Sequence, residues 1–268
     1  MDKNTDKDWD KVASYFNDLR VPDWDDDLFL KTIGQLPVWN GDSHILDLGC
    51  GAGRYSIAVA DRCAHVTGSD ISPEMIGFAR KKQKEYGKDN ISFVTESWHD
   101  LDLRSKGYED KFNLVFGHMT PALESVDDIE KATKASRGFC ALATFAKREA
   151  PVTNEFLGFM GKDPVLHNDN KITEIFDHLY KQKHYPRVDY YIRDDTQDFD
   201  EEGAVEFLKS RMVLDASEEV DEDTIEKIRE FVRMKIQDGR FVNVVNSIIV
   251  TIVWNAKEDT NGFDKYKR

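Results

Sequence analysis

"ILDLGCGAGRYSIAVA", residues 45–60, is the stretch on which the fold of this chain turns. An apolar run closes on Asp47 and Leu48, glycines follow at Gly49, Gly51 and Gly53, and from Arg54 the apolar residues take up helical spacing. A strand therefore runs into a helix through a loop almost bare of side chains. Glycines there permit positive φ and let a ligand approach without a Cβ in the way. The helix that follows presents unpaired N–H groups.

The spacing narrows the ligand. A phosphate-cradling P-loop needs GxxxxGK[ST], and no Lys-Ser or Lys-Thr follows these glycines. A dinucleotide fingerprint reads GxGxxG, whereas Gly49, Gly51 and Gly53 stand at every second position. Asp47, two residues before the first glycine, suits an ammonium or other cationic group better than a pyrophosphate. A second acid, Asp70, ends the next predicted strand, "AHVTGSD" at 64–70. A carboxylate in that place accepts hydrogen bonds from ribose hydroxyls. Taken alone it reads as a turn or cap residue.

Working outward, strands and helices alternate. "SPEMIGFARKKQKEYG" has Ser72 as N-cap, Pro73 at the first helical position and Gly87 at its end. "NISFVTE" and "FNLVFGH" read as the third and fourth strands, a helix spans Val126–Ala135, and "GFCALATFA" is a fifth strand. Such alternation indicates parallel βαβ units with right-handed crossovers. Two amphipathic helices precede them, near Trp9–Leu19 and Asp25–Leu36. The expected organisation is a helical segment over 1–40, one α/β domain over 41–256 with a helical insertion at about 151–186, and a tail over 257–268. "RVDYYIRD" at 187–194 restarts a strand, and "FVNVVNSIIVTIVW" at 241–254 is a long buried one, too short and too interrupted for the ~20 apolar residues of a membrane span.

The combination resembles the class I S-adenosylmethionine-dependent methyltransferases over about residues 40–145. Their first motif, an acid followed by GxGxG, is "DLGCGAG" at 47–53, and their second acid is Asp70 in "GSDIS". "ISPEMIGFAR" is similar to their next helix. The resemblance implies a Rossmann-like, doubly wound, mostly parallel seven-stranded sheet with an antiparallel last strand beside strand five. It implies S-adenosyl-L-methionine as cofactor, with S-adenosyl-L-homocysteine as product. The backbone of Gly49, Cys50, Gly51 and Gly53 would lie under its methionine part, with Asp47 toward the amino end. Asp70 would hold the ribose, with Ile71 beside the adenine. Met75 lines the adenine pocket or belongs to the core. Ser97 stands where an acid facing the adenine amino group is usual, with Glu96 and Asp100 nearby. This departure makes Ser97 and the Trp98 indole the adenine candidates, although Trp98 also reads as a core residue.

The acceptor side falls at "GHMTPALES", residues 117–125. His118, with an ordinary pKa of ~6.5, can serve as general base or be a hydrogen-bonded loop histidine. Met119, Thr120 and Pro121 would shape the pocket floor. Trp9, Tyr15, Phe16 and Trp24 form a lid or pack as helix core. Phe156, Phe159, Phe176 and Tyr180 in the insertion are expected to recognise the acceptor.

Composition bears on that acceptor. Acids outnumber Lys plus Arg by 51 to 37, a net charge of −14 that repels polyanions. The one basic run, Arg80, Lys81, Lys82 and Lys84, reads as a solvated helix face. No [NDS]PP[YF] motif and no Pro-Cys pair are present, so the expected partner is a small molecule, with no nucleic acid and no membrane. Cys50, Cys63 and Cys140 have no zinc-like spacing. Their odd number and the polar start suit a cytoplasmic protein. "DDTQD" at 194–198 matches an acidic metal-pyrophosphate pattern but reads as a solvated turn. Two alternatives stay open: a nicotinamide-dependent oxidoreductase, and a module that keeps the cofactor fold without turnover.

Overall fold

The computed structural model describes residues 6–165, 170–216 and 220–257. Seven strands form one sheet: β1 (His44–Leu48), β2 (His65–Asp70), β3 (Ile91–Thr95), β4 (Phe112–His118), β5 (Ser136–Glu149), β6 (Arg187–Phe199) and β7 (Phe241–Asn255). Their order is β3-β2-β1-β4-β5-β7-β6. Pairing is parallel from β3 through β5, and β7 runs antiparallel to both of its neighbours. The chain turns back on itself between β1 and β4, so their carboxyl ends open a crevice at the place where doubly wound sheets bind ligands.

Helices cover both faces. In chain order they are α1 (Asp6–Asn17), α2 (Leu28–Gly34), α3 (Arg54–Val59), α4 (Pro73–Glu85), α5 (Leu103–Lys106), α6 (Val126–Ala135), α7 (Pro151–Phe159), α8 (Asn170–Lys181), α9 (Glu201–Ala216) and α10 (Glu222–Lys235). Capping follows the sequence signals: Ser72 accepts from the Met75 amide ahead of Pro73, and Asp27 accepts from Leu30. Beneath α2, α3 and α4 lies a core of Ile45, Ile57, Val66, Ile76 and Leu114. Beneath α5, α6 and α8 lies another, containing Leu46, Phe112, Ile129 and Trp254. Each such large side chain contributes about 1.5–3 kcal/mol when fully buried. A third cluster, formed by α7, α9 and α10 around Phe156, Phe231 and Phe241, sits against the start of β7.

Four expectations change. "DDTQD" is no turn: β6 continues to Phe199, and residues 194–198 pair with β7 from Asn246 to Val242. The long final strand supplies the partners, and the acids alternate between faces, Asp195 pairing with Arg193 and Asp198 with Arg240. The basic run is not wholly solvated, because Lys82 is buried and its Nζ holds the Asn17 and Leu19 carbonyls at 2.8 and 3.3 Å. The insertion is not one layer. α7 joins the α9–α10 cluster, whereas Ile175 and Leu179 of α8 pack on the opposite face with α6. Trp24 is fixed as packing, its Nε1 donating to the Ala58 carbonyl at 2.8 Å and its ring edge-on to Trp39. Residues 258–268 of the expected tail lie outside the described residues.

Candidate active site

Each glycine of the β1–α3 loop has its own physical reason. All three hold positive φ: +60° at Gly49, +52° at Gly51 and +77° at Gly53. A Cβ on Gly49 would meet Thr120 Oγ1 at 1.8 Å, and one on Gly53 would meet Phe93 and Ala79 at 2.7 and 3.0 Å. A Cβ on Gly51 would meet nothing nearer than Met75 Sδ at 3.9 Å. Two glycines therefore let the protein pack on itself, while at the third a Cβ would meet only ordinary contact with Met75, so positive φ is the one steric demand there.

The acids at the strand tips close on this loop. Asp70 Oδ2 accepts from the Gly51 amide at 2.8 Å, and Oδ1 accepts from Ser72 at 2.9 Å. A carboxylate has about four acceptor positions, so roughly half remain for other donors. Burial pushes the Asp70 pKa up, against these two backbone bonds. Asp47 is buried and accepts from Ser56 Oγ at 2.6 Å, which ties β1 to the first turn of α3. Burial, with the charge of Asp70 added to it, pushes Asp47 up to about 7 despite the Ser56 bond. The two carboxylates thus stand close enough for the charge of Asp70 to act on Asp47.

The remaining expected residues divide. Ile71 and Ser97 are half-buried beside the tips of β2 and β3, and Met75 lies buried over Gly51. Trp98 is buried, with its Nε1 lacking any hydrogen-bond partner. Glu96 lies 3.2 Å from Lys106 Nζ, and both of its carboxylate oxygens are buried without a hydrogen-bond partner. The Cys50 thiol is pushed well up by burial and the neighbouring acids, which leaves it unreactive.

His118 ends β4 with its ring against Tyr55, centroids 4.0 Å apart, and Phe29 on another side. Its Nε2 lies 3.0 Å from Tyr55 Oη, and that hydroxyl donates to Asp27 Oδ2 at 2.8 Å. Because the tyrosine proton goes to the carboxylate, Nε2–H is the donor to Tyr55. Burial, then the charges of Arg54 and Arg193, lower the His118 pKa to about 3. The ring is neutral at physiological pH and a weak base. Met119 follows at φ +52°, sparsely populated for a residue with a Cβ, and Thr120 and Pro121 open a 3₁₀ turn.

Sequence reasoning missed Asp27, Tyr55, Ser56 and Thr251. The first two meet His118 only through the fold. Thr251 of β7 pairs with Ala143, itself opposite His118, and its buried hydroxyl has no partner. An open groove of about 660 Å³, lined by Ile172, Tyr190, Ile192 and Ile248 among others, lies on the α8 side away from the glycine loop.

Sheet order, bare loop and paired acids define a Rossmann-like protein built to hold a nucleoside-type cofactor. Residues 40–187, more than half of the chain, match the methyltransferase domain family. The chain belongs to that family and is a methyltransferase. It is 26% identical to the Bacillus subtilis (strain 168) methyltransferase YqeM over 173 residues, 54% of this chain and 69% of that one. It is 33% identical to an RNA methyltransferase of Streptococcus pyogenes serotype M1 over 101 residues, 38% of this chain and 22% of the other. The crystal structure of a Bacillus halodurans methyltransferase superposes with a TM-score of 0.53 at 14% identity, covering 87% of this chain and 99% of that one. At that identity the likeness is one of fold.

Proposed function

We propose that the chain transfers a methyl group from S-adenosyl-L-methionine to a small-molecule acceptor in the cytoplasm. The observation that carries the cofactor assignment is the bond between Asp70 and the amide of Gly51, a position with positive φ and no steric clash. The carboxylate of one strand tip is fixed against the bare loop of the next, with acceptor positions to spare for a ribose. Trp98 Nε1, buried and unpartnered, supports an aromatic heterocycle nearby, since a buried donor without a partner is costly. The bound cofactor supplies an activated methyl on a sulfonium centre. Asp47 and Asp70 favour that positive charge, the Gly51 backbone leaves room for the ligand, and His118, Met119 and Pro121 border the acceptor side.

In-line displacement on such a carbon needs chiefly alignment and exclusion of water, which supply ~7–11 kcal/mol. A weak base at His118 fits that demand: the Asp27–Tyr55–His118 chain positions a neutral ring instead of a strong proton acceptor. A net charge of −14 and the internal use of Lys82 support a small acceptor over a polyanion. Asp70→Ala is expected to weaken S-adenosylmethionine binding at least tenfold, about 1.4 kcal/mol, by calorimetry. An unchanged affinity would remove the ribose assignment. A radiolabelled-methyl screen over metabolite pools then tests turnover.

A further inference from the structure

Beyond the cofactor loop, the sheet carries charges that a nucleoside does not use. Arg148 on β5 and Arg193 on β6 flank Ser247 of β7 in register, and cross-strand partners stand on one face. Arg211 and Asp215 of α9, Tyr15 of α1 and Asp195 of β6 come close enough to act on the charge of Arg148. Two carboxylates answer the three guanidiniums. Asp195 holds Arg193 at 2.7 Å, while Asp215 meets Arg211 only loosely, at 3.5 Å, with both side chains 12% exposed. Arg211 Nε is buried without a hydrogen-bond partner. Among the described residues, no hydrogen bond or ion pair reaches the guanidinium of Arg148, which stands 5.8 Å from the Phe145 ring.

This leaves one cation unanswered in a chain with 51 acids against 37 bases, where a carboxylate would be the easiest neighbour to find. Arg148 is half-buried, and holding an unpaired charge partly out of water is costly. A guanidinium fork that keeps free N–H groups matches a carboxylate or a phosphate.

We propose that Arg148 and Arg211 form an anion subsite, and that the methyl acceptor is an elongated small molecule carrying a carboxylate or phosphate at the end away from the methylated atom. The proposal rests on the methyltransferase reading of the site and names its substrate class. Register sets the length. His118 lies opposite Ala143, and Arg148 is five residues further along β5, roughly 15 Å of strand. Arg193 of the same row acts on the charge of His118 and Arg148 does not, so Arg148 meets a part of the acceptor away from that ring. α1 links the two ends: its Asp10 accepts from the Glu74 amide at the start of α4, and its Tyr15 packs 6.3 Å from Phe207 of α9.

Octanoate, octyl phosphate and uncharged octanol test this by calorimetry on the full chain saturated with S-adenosylhomocysteine. One anionic probe should bind at least about tenfold tighter than octanol, and the tighter of the two identifies the anion. Arg148→Met should abolish the preference, Arg211→Met should weaken it, and Arg148→Lys should keep part of it, which covers any folding defect in the methionine variants. S-adenosylhomocysteine affinity should stay unchanged in Arg148→Met. Equal affinity for octanoate, octyl phosphate and octanol in the wild type overturns the proposal, as does a preference that survives Arg148→Met. Failure to bind S-adenosylhomocysteine strikes the cofactor reading instead, and the same titrations on the free chain then decide the arginine pair alone.

Discussion

The β1–β4 side of the sheet and the β5–β7 side are built by different means. On the first, the surface proposed to face the ligand is main chain: Gly51 is free of clashes, and the Asp70 carboxylate is aimed by two backbone amides. On the second, strands of 13 to 15 residues overshoot the cofactor loop and carry long side chains such as Arg148, which lies within reach of Arg211 and Asp215 on α9. Main chain can be placed to within a fraction of an ångström by strand pairing and tight turns, and it suits a ligand that never changes. Side chains on long strands are easily exchanged without disturbing the ladder, and they suit the ligand that differs from one enzyme to the next. One fold can therefore keep its cofactor and vary its acceptor.

The glycines offer the sharpest way to break that division. Gly49→Ala should cost about 3 kcal/mol or more of stability, because positive φ and the Thr120 clash act together. Gly51→Ala carries the φ penalty alone, about 1–2 kcal/mol, yet should lose most of its cofactor affinity, since the strained loop shifts the amide that aims Asp70. Denaturant titration and calorimetry on both variants read the two effects separately. If Gly51→Ala binds S-adenosylmethionine normally, the loop is not the ligand surface and the contrast between the two sides fails.

That division also explains what could be read from sequence. The cofactor side rests on local signals: an acid before GxGxG, a strand end at Asp70, and the Ser72-Pro73 helix start all lie within thirty residues of one another. Glu96 misleads because its partner Lys106 sits on α5, a single turn with too little periodicity to register. "DDTQD" misleads because acids disfavour strands, and only β7, more than forty residues later, offers the pairing that overrides this. The Asp27–Tyr55–His118 chain and the Arg148–Arg211 pair join residues distant in sequence, so nothing local announces them. For α8, its amphipathic pattern states that one face is buried but not on which side of the sheet.

A smaller effect tests whether the two acids share one pocket. With Asp47 pushed up to about 7, it is largely protonated below neutrality, and a cationic ligand favours its ionised form. S-adenosylmethionine affinity should therefore rise as pH climbs toward 7 and level off above it, by less than tenfold per pH unit. Asp47→Asn provides the baseline, since it retains any titration that belongs to the ligand. Parallel pH curves for wild type and variant would separate Asp47 from the binding event.

The smallest effect concerns the free protein, where Asp47 and His118 pull stability in opposite directions with pH. Asp47 has a folded pKa raised from 3.8 to about 7, so the native state holds the extra proton between those values. Stability from this group is greatest at low pH and falls as pH rises through that window. His118 has a folded pKa lowered from 6.5 to about 3, so there the unfolded chain holds the extra proton. Its contribution is complete above 6.5 and is lost as pH falls toward 3. The windows overlap between about 4 and 6.5, and the two slopes largely cancel in the wild type. Asp47→Asn should expose the histidine slope, with stability rising as pH increases, and His118→Gln should expose the aspartate slope, with stability falling. Tyr55→Phe removes the hydroxyl that pairs with the ring and should cost about 1 kcal/mol with little change in slope, because burial, and not that bond, is the main cause of the His118 shift. Denaturant midpoints between pH 4 and 7 measure all four proteins. Variants whose pH slopes remain the same as the wild type would place both groups in contact with bulk water, contrary to the buried tips of β1 and β4 on which the cofactor side depends.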